Sequence, residues 1–441
     1  MARPGGWLGS HRGARHRDSV RARRWSRALA RLAGAALLLT AAACGKQKAK
    51  DPVAAKVADA IPKLEEAIGL KFKSPPRFEA RTKDEVRAFL EKRFTEDMPE
   101  AELRGSEHSY KLLGLIPDTL DLRKFMLALL TEQIAGYYDP STKVLYIVQG
   151  ANDEMLSVTV SHELVHALQD QYLNLDSLQK VRGHNDRTVA AQAVVEGQAT
   201  FEQLASMLGG GTMVANLPGG WERVRQIIRE SNSSMPVFSS APTLIQETLL
   251  FPYLSGAEFM RLFKEKRAGK QVFSEMPVST EQVMHEDRFF GSRDDPTFVT
   301  LPAPPGKLLY ENNLGEFETR LFLYEHLKDR DAAYRGGAGW DGDRFQLFET
   351  GKGEGLAWLS VWDTSVDGAE FFDLLDTSIL KRFGNVKPSQ ASQSTRVYSA
   401  RGRTIAVTAG DIDGRPVVLY VDVPAGASIN VLDLGKVKLE E

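Results

Sequence analysis

The stretch Met155–Asp170, MLSVTVSHELVHALQD, decides how the rest of the chain reads. Its centre, His162-Glu-Leu-Val-His166, places two histidines four residues apart, so on a helix both imidazoles leave one face about one turn apart. Two imidazoles at that spacing suit a tetrahedral zinc ion, and Glu163, one step round the helix, sets a carboxylate beside the ion's open position. The run from Met155 to Val160 and the following Ala167-Leu168 supply the apolar surroundings that a buried metal helix needs.

A catalytic zinc takes three protein ligands and keeps one place for water. Glu196 is the best third ligand, because it is a lone acid inside the Ala/Val-rich run before Gly197, where an unpaired carboxylate would be costly. Gly197 would let its helix pack closely on the first. His184 and Asp186 are rivals in a Gly/Asn-containing loop expected to be solvated. Asp170, four residues after His166 on the same face, can accept the far N–H of an imidazole, or stand solvated on the helix surface. His285, Tyr137 and Tyr138 are candidates to stabilise an oxyanion, each lying outside the zinc helices.

The formal net charge of −2 hides two unlike ends. The first 43 residues hold nine Arg and one acid, which leaves 47 basic against 57 acidic residues beyond them. No basic stripe is present, so a nucleic-acid partner is not expected. A basic region ending at Arg31, the uncharged run Leu32–Ala43 and then Cys44, the single cysteine of the chain, read as an export signal. A dozen residues is too short to span a bilayer, which needs about 20. Leu-Leu-Leu-Thr-Ala-Ala-Ala-Cys over 37–44 resembles a bacterial lipoprotein signal, which implies lipidation of Cys44 and a membrane anchor. Gly45 rather than Asp after it leans, by the same resemblance, toward the outer membrane. Residues 1–43 are thus expected to be a signal peptide and 44–56 a tether, with no transmembrane segment beyond.

Along the remainder, helical spacing is read over Val57–Leu70, over Thr82–Phe94 with a capping box from Thr82 to Glu85, over Leu120–Ile134, and over Thr188–Leu208. Gly136–Thr142 reads as a turn and Lys143–Val148 as a strand, a candidate sheet edge to which a peptide adds by backbone pairing. Pro302, Pro304 and Pro305 mark a change of character. Beyond them come a helix (Glu316–Leu327), strands Arg344–Glu349 and Leu356–Trp362, a helix (Ala369–Leu380), and strands Arg396–Ser399, Thr404–Thr408 and Pro416–Asp422. That series predicts an antiparallel sheet covered on one face. Asp341 and Asp343, in Gly339-Trp-Asp-Gly-Asp-Arg344, tempt a calcium reading but lack EF-hand spacing, and a tight turn entering a strand is favoured.

His-Glu-Leu-Val-His-Ala-Leu-Gln-Asp with a glutamate on a following helix resembles the gluzincin (thermolysin-like) metallopeptidases. Ala135–Pro140, Phe251–Tyr253, Ser279–His285 and Gly339–Arg344 resemble segments of a little-characterised group of gluzincin-like lipoproteins. The element pattern reads as an α+β fold: a mostly helical half over 57–300 with a small edge sheet, which the resemblance makes zincin-like, then an α+β half over 301–441 with an antiparallel sheet. The resemblance further implies Zn2+ on His162, His166 and Glu196, and hydrolysis of peptide bonds in peptide or protein substrates at the bacterial cell envelope. Glu163 would be the general base for a metal-activated water. The competing expectation is an envelope assembly or binding lipoprotein that keeps a peptidase fold with little turnover.

Overall fold

The computed structural model describes residues 52–150, 153–178, 181–208, 210, 220–384 and 386–440, and Cys44 with the whole export signal lies outside them. Seven helices build the first part: α1 (Pro52–Ile68), α2 (Lys83–Asp97), α3 (Glu100–Leu113), α4 (Leu122–Gln133), α5 (Asp153–Gln169), the single turn α6 (Leu175–Leu178) and α7 (Asn185–Leu208). Local chemistry sets several boundaries. Thr82 caps α2 with the reciprocal Glu85 bond, and Asp121 caps α4 through the Lys124 N–H.

A three-stranded sheet lies against α5, in the order β1 (Arg77–Arg81), β3 (Val144–Val148), β2 (Gly136–Asp139), with β1 parallel and β2 antiparallel to β3. Two expectations change here. The residues read as a turn from Gly136 begin as strand β2, and the reversal is confined to Pro140–Lys143. There the Asp139 carboxylate accepts from the Ser141 N–H (3.0 Å) and the Thr142 hydroxyl (2.8 Å), and Lys143 takes φ +59°. The strand expected at the edge, β3, is central and paired on both sides, so the outer strand beside α5 is β2. Gly136 lets β2 approach α5, since a methyl there would collide with Thr159.

The helical character runs on through Glu286–Phe290. Within it, Thr243–Phe251 and Ala257–Lys266 form one rod interrupted by a π-helical turn at Pro252–Gly256. Gly197 of α7 packs on this turn rather than on α5: a methyl on Gly197 would overlap the Gly256 carbonyl carbon, and one on Gly256 the Ala193 carbonyl.

The second part is a seven-stranded, wholly antiparallel sheet in the order β5 (Leu308–Asn312), β6 (Trp340–Thr350), β7 (Gly353–Trp362), β11 (Arg415–Pro424), β10 (Arg403–Ile412), β9 (Thr395–Ala400), β8 (Gln390–Ala391). The mixed α+β class is as expected. The sheet is covered on both faces, not one. Trp358 and Tyr420 pack under the helices Gly315–Leu327 and Ser365–Phe383, while Leu359, Val361 and Val421 pack under a cluster that includes Val431 and Val437. Strands β4 (Phe298–Thr300) and β12 (Lys438–Glu440) pair beside this second layer. The apolar core against the first face is continuous with that of the helical part, from Leu129 and Val194 to Phe322 and Trp358.

Four acids are buried where α7 meets the sheet. Asp186 accepts from the Thr280 N–H (2.9 Å), and Asp343 accepts from the Leu314 and Gly315 N–H groups (2.8 and 2.9 Å) and from the Trp358 indole (3.0 Å). Glu318 accepts from the Tyr110 hydroxyl and the Asn185 amide, and Glu316 pairs with His285 and Arg320. Burial pushes Asp343 up to about 6, Asp186 to about 7 and Glu318 to about 8. These groups keep protons in the folded chain at pH values where the unfolded chain has released them, so their contribution is full below about pH 4 and lost as pH rises to about 8. Thermal unfolding followed by circular dichroism should therefore give a lower Tm at about pH 9 than at about pH 6. Glu318→Gln should make that fall shallower; an unchanged slope would mean that Glu318 is ionised in the folded protein.

Candidate metal centre

Helix α5 carries His162 and His166 one turn apart, and α7 crosses it with Glu196 facing both rings. The His162 and His166 Nε2 atoms are 3.2 Å apart, and Glu196 Oε2 lies 3.2 Å from the first and 3.4 Å from the second. A zinc ion bonding its ligands at about 2.0–2.1 Å in tetrahedral geometry holds them about 3.3–3.4 Å apart, so this triangle is the base of such a polyhedron.

The opposite ring nitrogens identify the tautomers. His166 Nδ1 is 2.8 Å from Gln169 Oε1, and the Gln169 amide is oriented by its own donation to the Val195 carbonyl (2.9 Å) and to Gln198 Oε1 (3.0 Å). His162 Nδ1 is 3.0 Å from Gln203 Oε1. With both Nδ1 atoms donating, a ring that is neutral has only its Nε2 lone pair to present to the Glu196 carboxylate. Three electron-pair donors facing one point require a positive charge there. Burial of His166 opposes a charged ring, but Glu196, and next Glu163, outweigh it and raise the imidazole to about 9. The Glu196 carboxyl is correspondingly held below its ordinary range by the two histidines, against its own burial. A proton can bridge only two of these atoms, whereas a metal ion satisfies all three. Among the described residues one other group brings three ligand atoms within 4.8 Å of one another, Glu281, Asp294 and Asp363, and the Arg288 guanidinium pairs with all three.

A cleft of about 230 Å³ opens on the triangle, walled by Tyr137, Tyr138, Glu163, Thr188, Gln192 and Tyr253 among others. Glu163 Oε2 accepts from the Tyr138 backbone N–H (2.7 Å), so the outer strand β2 orients the carboxylate proposed as base. Tyr137 stacks on Phe89 (centroids 4.3 Å apart). The Tyr138 hydroxyl is turned away from the His162–His166–Glu196 triangle, donating to Asp170 Oδ2 at 2.7 Å.

Asp170 therefore plays a different part from the one expected. Its carboxylate binds Tyr138, the Lys143 ammonium (2.6 Å) and the Leu175 N–H (3.2 Å), tying the β2–β3 hairpin to the end of α5. The imidazole partners are Gln169 and Gln203, which sequence reasoning missed. Gln169 was within reach, since it follows His166 by three residues on the helix, whereas Gln203 depends on how α5 and α7 cross. His285 is not brought to the cleft: its Nε2 faces the Glu316 carboxylate at 3.0 Å, beside Arg320. Of the rival ligands, Asp186 is buried at the start of α7 rather than solvated, and His184 packs near Phe298 (5.6 Å). The calcium reading also ends, because Asp341 is taken up by Thr297 and Arg415 and Asp343 by the backbone of Leu314 and Gly315.

Tyr253 comes to the site from the π-helical turn. Its ring lies 6.3 Å from that of His162 and its hydroxyl lies close to the Glu196 carboxylate. The Glu196 charge first, and burial next, keep that hydroxyl protonated far above the ordinary range. Such turns re-aim one side chain within a helix. The segment Phe251-Pro-Tyr253 stood out in the sequence, but nothing local placed it beside His162.

Residues 307–431 match a family described as a domain of unknown function, DUF8575, a region that covers all seven strands of the large sheet and none of His162, Glu163, His166 and Glu196. No curated protein and no solved structure matches the chain.

If Gln169 and Gln203 orient the rings, Gln169→Ala and Gln203→Ala should each weaken zinc binding about 10–100-fold in a chelator competition titration. Asp170→Asn should leave that affinity within about twofold, because its carboxylate touches neither imidazole.

Proposed function

We propose that this chain is a zinc-dependent peptidase, held at the bacterial cell envelope through a lipid on Cys44. The observation that carries the reading is the triangle of His162 Nε2, His166 Nε2 and Glu196 Oε2, 3.2–3.4 Å on a side, with Glu163 on the same cleft wall. Those three residues would hold the ion. Zinc, when bound, supplies a Lewis acid that makes a water nucleophilic near neutral pH.

The chain's own groups do the rest. Glu163 accepts the proton of the attacking water and returns it to the leaving nitrogen. Because Oε2 is engaged by the Tyr138 N–H, Oε1 is the oxygen that takes the proton. The Tyr253 hydroxyl, kept protonated beside Glu196, donates to the oxyanion that develops on the carbonyl. The outer strand β2 offers its backbone edge to align an extended substrate. The envelope location rests on the Arg-rich start, the run Leu32–Ala43 and the single cysteine. Among the described residues no helix is long and apolar enough to cross a membrane.

With the purified protein and an unstructured polypeptide substrate, Glu163→Gln is expected to lower kcat by about 10²–10⁴ while binding one zinc per chain. Tyr253→Phe should lower kcat by about 10²–10³ with KM nearly unchanged. Glu196→Ala should lose the metal. Stoichiometric zinc in Glu196→Ala, or full turnover in Glu163→Gln, would refute the assignment.

A further inference from the structure

A second cavity, of about 450 Å³, opens beside the metal cleft and shares Thr188 and Gln192 with it. Its floor is apolar, made by Phe94, Met98, Leu130 and Val189, and its rim is polar. Its far wall is Tyr310 of β5, whose hydroxyl receives hydrogen bonds from Ser106 (3.0 Å) and Asn312 (2.6 Å) and donates to Glu102 (3.2 Å). A wall fixed by three hydrogen bonds is rigid before anything binds, which lowers the ordering cost of binding.

The two cavities follow one face of α7. At 1.5 Å rise per residue, Gln192 lies about 6 Å and Asn185 about 16 Å along the axis from Glu196. An extended polypeptide, at about 3.3 Å per residue, covers that interval with its second to fifth residues from the metal. We infer that this second cavity is a substrate subsite, which takes an extended polypeptide segment and seats an apolar side chain about two to five residues from the bond over the metal. The occupant follows from continuity with the cleft: a chain aligned along β2 and past Gln192 enters it, and the floor offers apolar surface that none of the described residues covers. That a bond is cleaved rests on the peptidase reading, whereas the segment binding does not.

The test uses zinc-loaded protein carrying Glu163→Gln, so that nothing is turned over, and reads fluorescence anisotropy. One probe is a fluorescein-labelled dodecapeptide pool of random sequence; the other is a single amino-acid hydroxamate, which is too short to pass Gln192 and reaches only the metal cleft. Val181 is exposed on the rim of the second cavity and Leu130 lies on its floor, and neither lines the metal cleft, so Val181→Trp blocks the mouth without touching the core and Leu130→Trp fills the floor. Each should weaken the dodecapeptide pool by about tenfold to a hundredfold, the worth of burying one large apolar side chain, and leave the hydroxamate and zinc content unchanged. Dodecapeptide binding unaffected by Val181→Trp and Leu130→Trp, or both probes weakened alike with zinc retained, overturns the subsite. A chain with native Glu163 that cleaves nothing, while the two variants still weaken dodecapeptide binding, refutes the peptidase reading and leaves the subsite standing.

Discussion

Two imidazole nitrogens and a carboxylate oxygen within 3.4 Å of one another make a site that must hold positive charge. Gln169 and Gln203 take the outer ring protons, so in the neutral rings the inner nitrogens have only lone pairs to present. Removing such a cluster from water without a cation is expensive. The surrounding architecture keeps it together: α5 is pinned by its sheet on one side, and α7 is clamped on the other by the π-helical turn. The Gly197–Gly256 contact leaves no room for a methyl group on Gly197, and it brings Tyr253 to the cleft.

Helix α7 connects the site to the rest of the molecule. Its middle holds Glu196, its far part supplies Gln203 to His162, and its first turn is buried among acids at the edge of the seven-stranded sheet. Asp186, Asp343 and Glu318 are held by backbone N–H groups, hydroxyls and amides, which explains how they remain in an apolar interior. The same junction brings β5 to the cavity beside the cleft, so the region of the chain matching a domain of unknown function forms part of that cavity's wall.

How much was legible in advance depended on the range of each interaction. Periodicity and caps are local, so the long helices, the capping box at Thr82 and the antiparallel strands from Arg344 onward could be read within a few residues. The sheet's second covered face was invisible because alternation does not distinguish water from the segment that carries Val431 and Val437. The place of Lys143–Val148 at the centre of its sheet followed from β1, a strand more than sixty residues earlier. A run of five buried residues says that a strand is covered, not by what.

At the site the division is the same. The sequence by itself determined that His162, Glu163 and His166 share a helix, because their spacing matches the helical repeat. It singled out Glu196 because an isolated acid among alanines and valines needs a partner. Only the tertiary structure decided that Glu196 meets both rings, that Asp170 binds Tyr138 and Lys143 instead of an imidazole, and that His285 belongs to Glu316 while Tyr253 belongs to the cleft. Those outcomes turn on where helices cross and which backbones can touch. That is settled by packing between residues far apart in the chain, which no local pattern encodes.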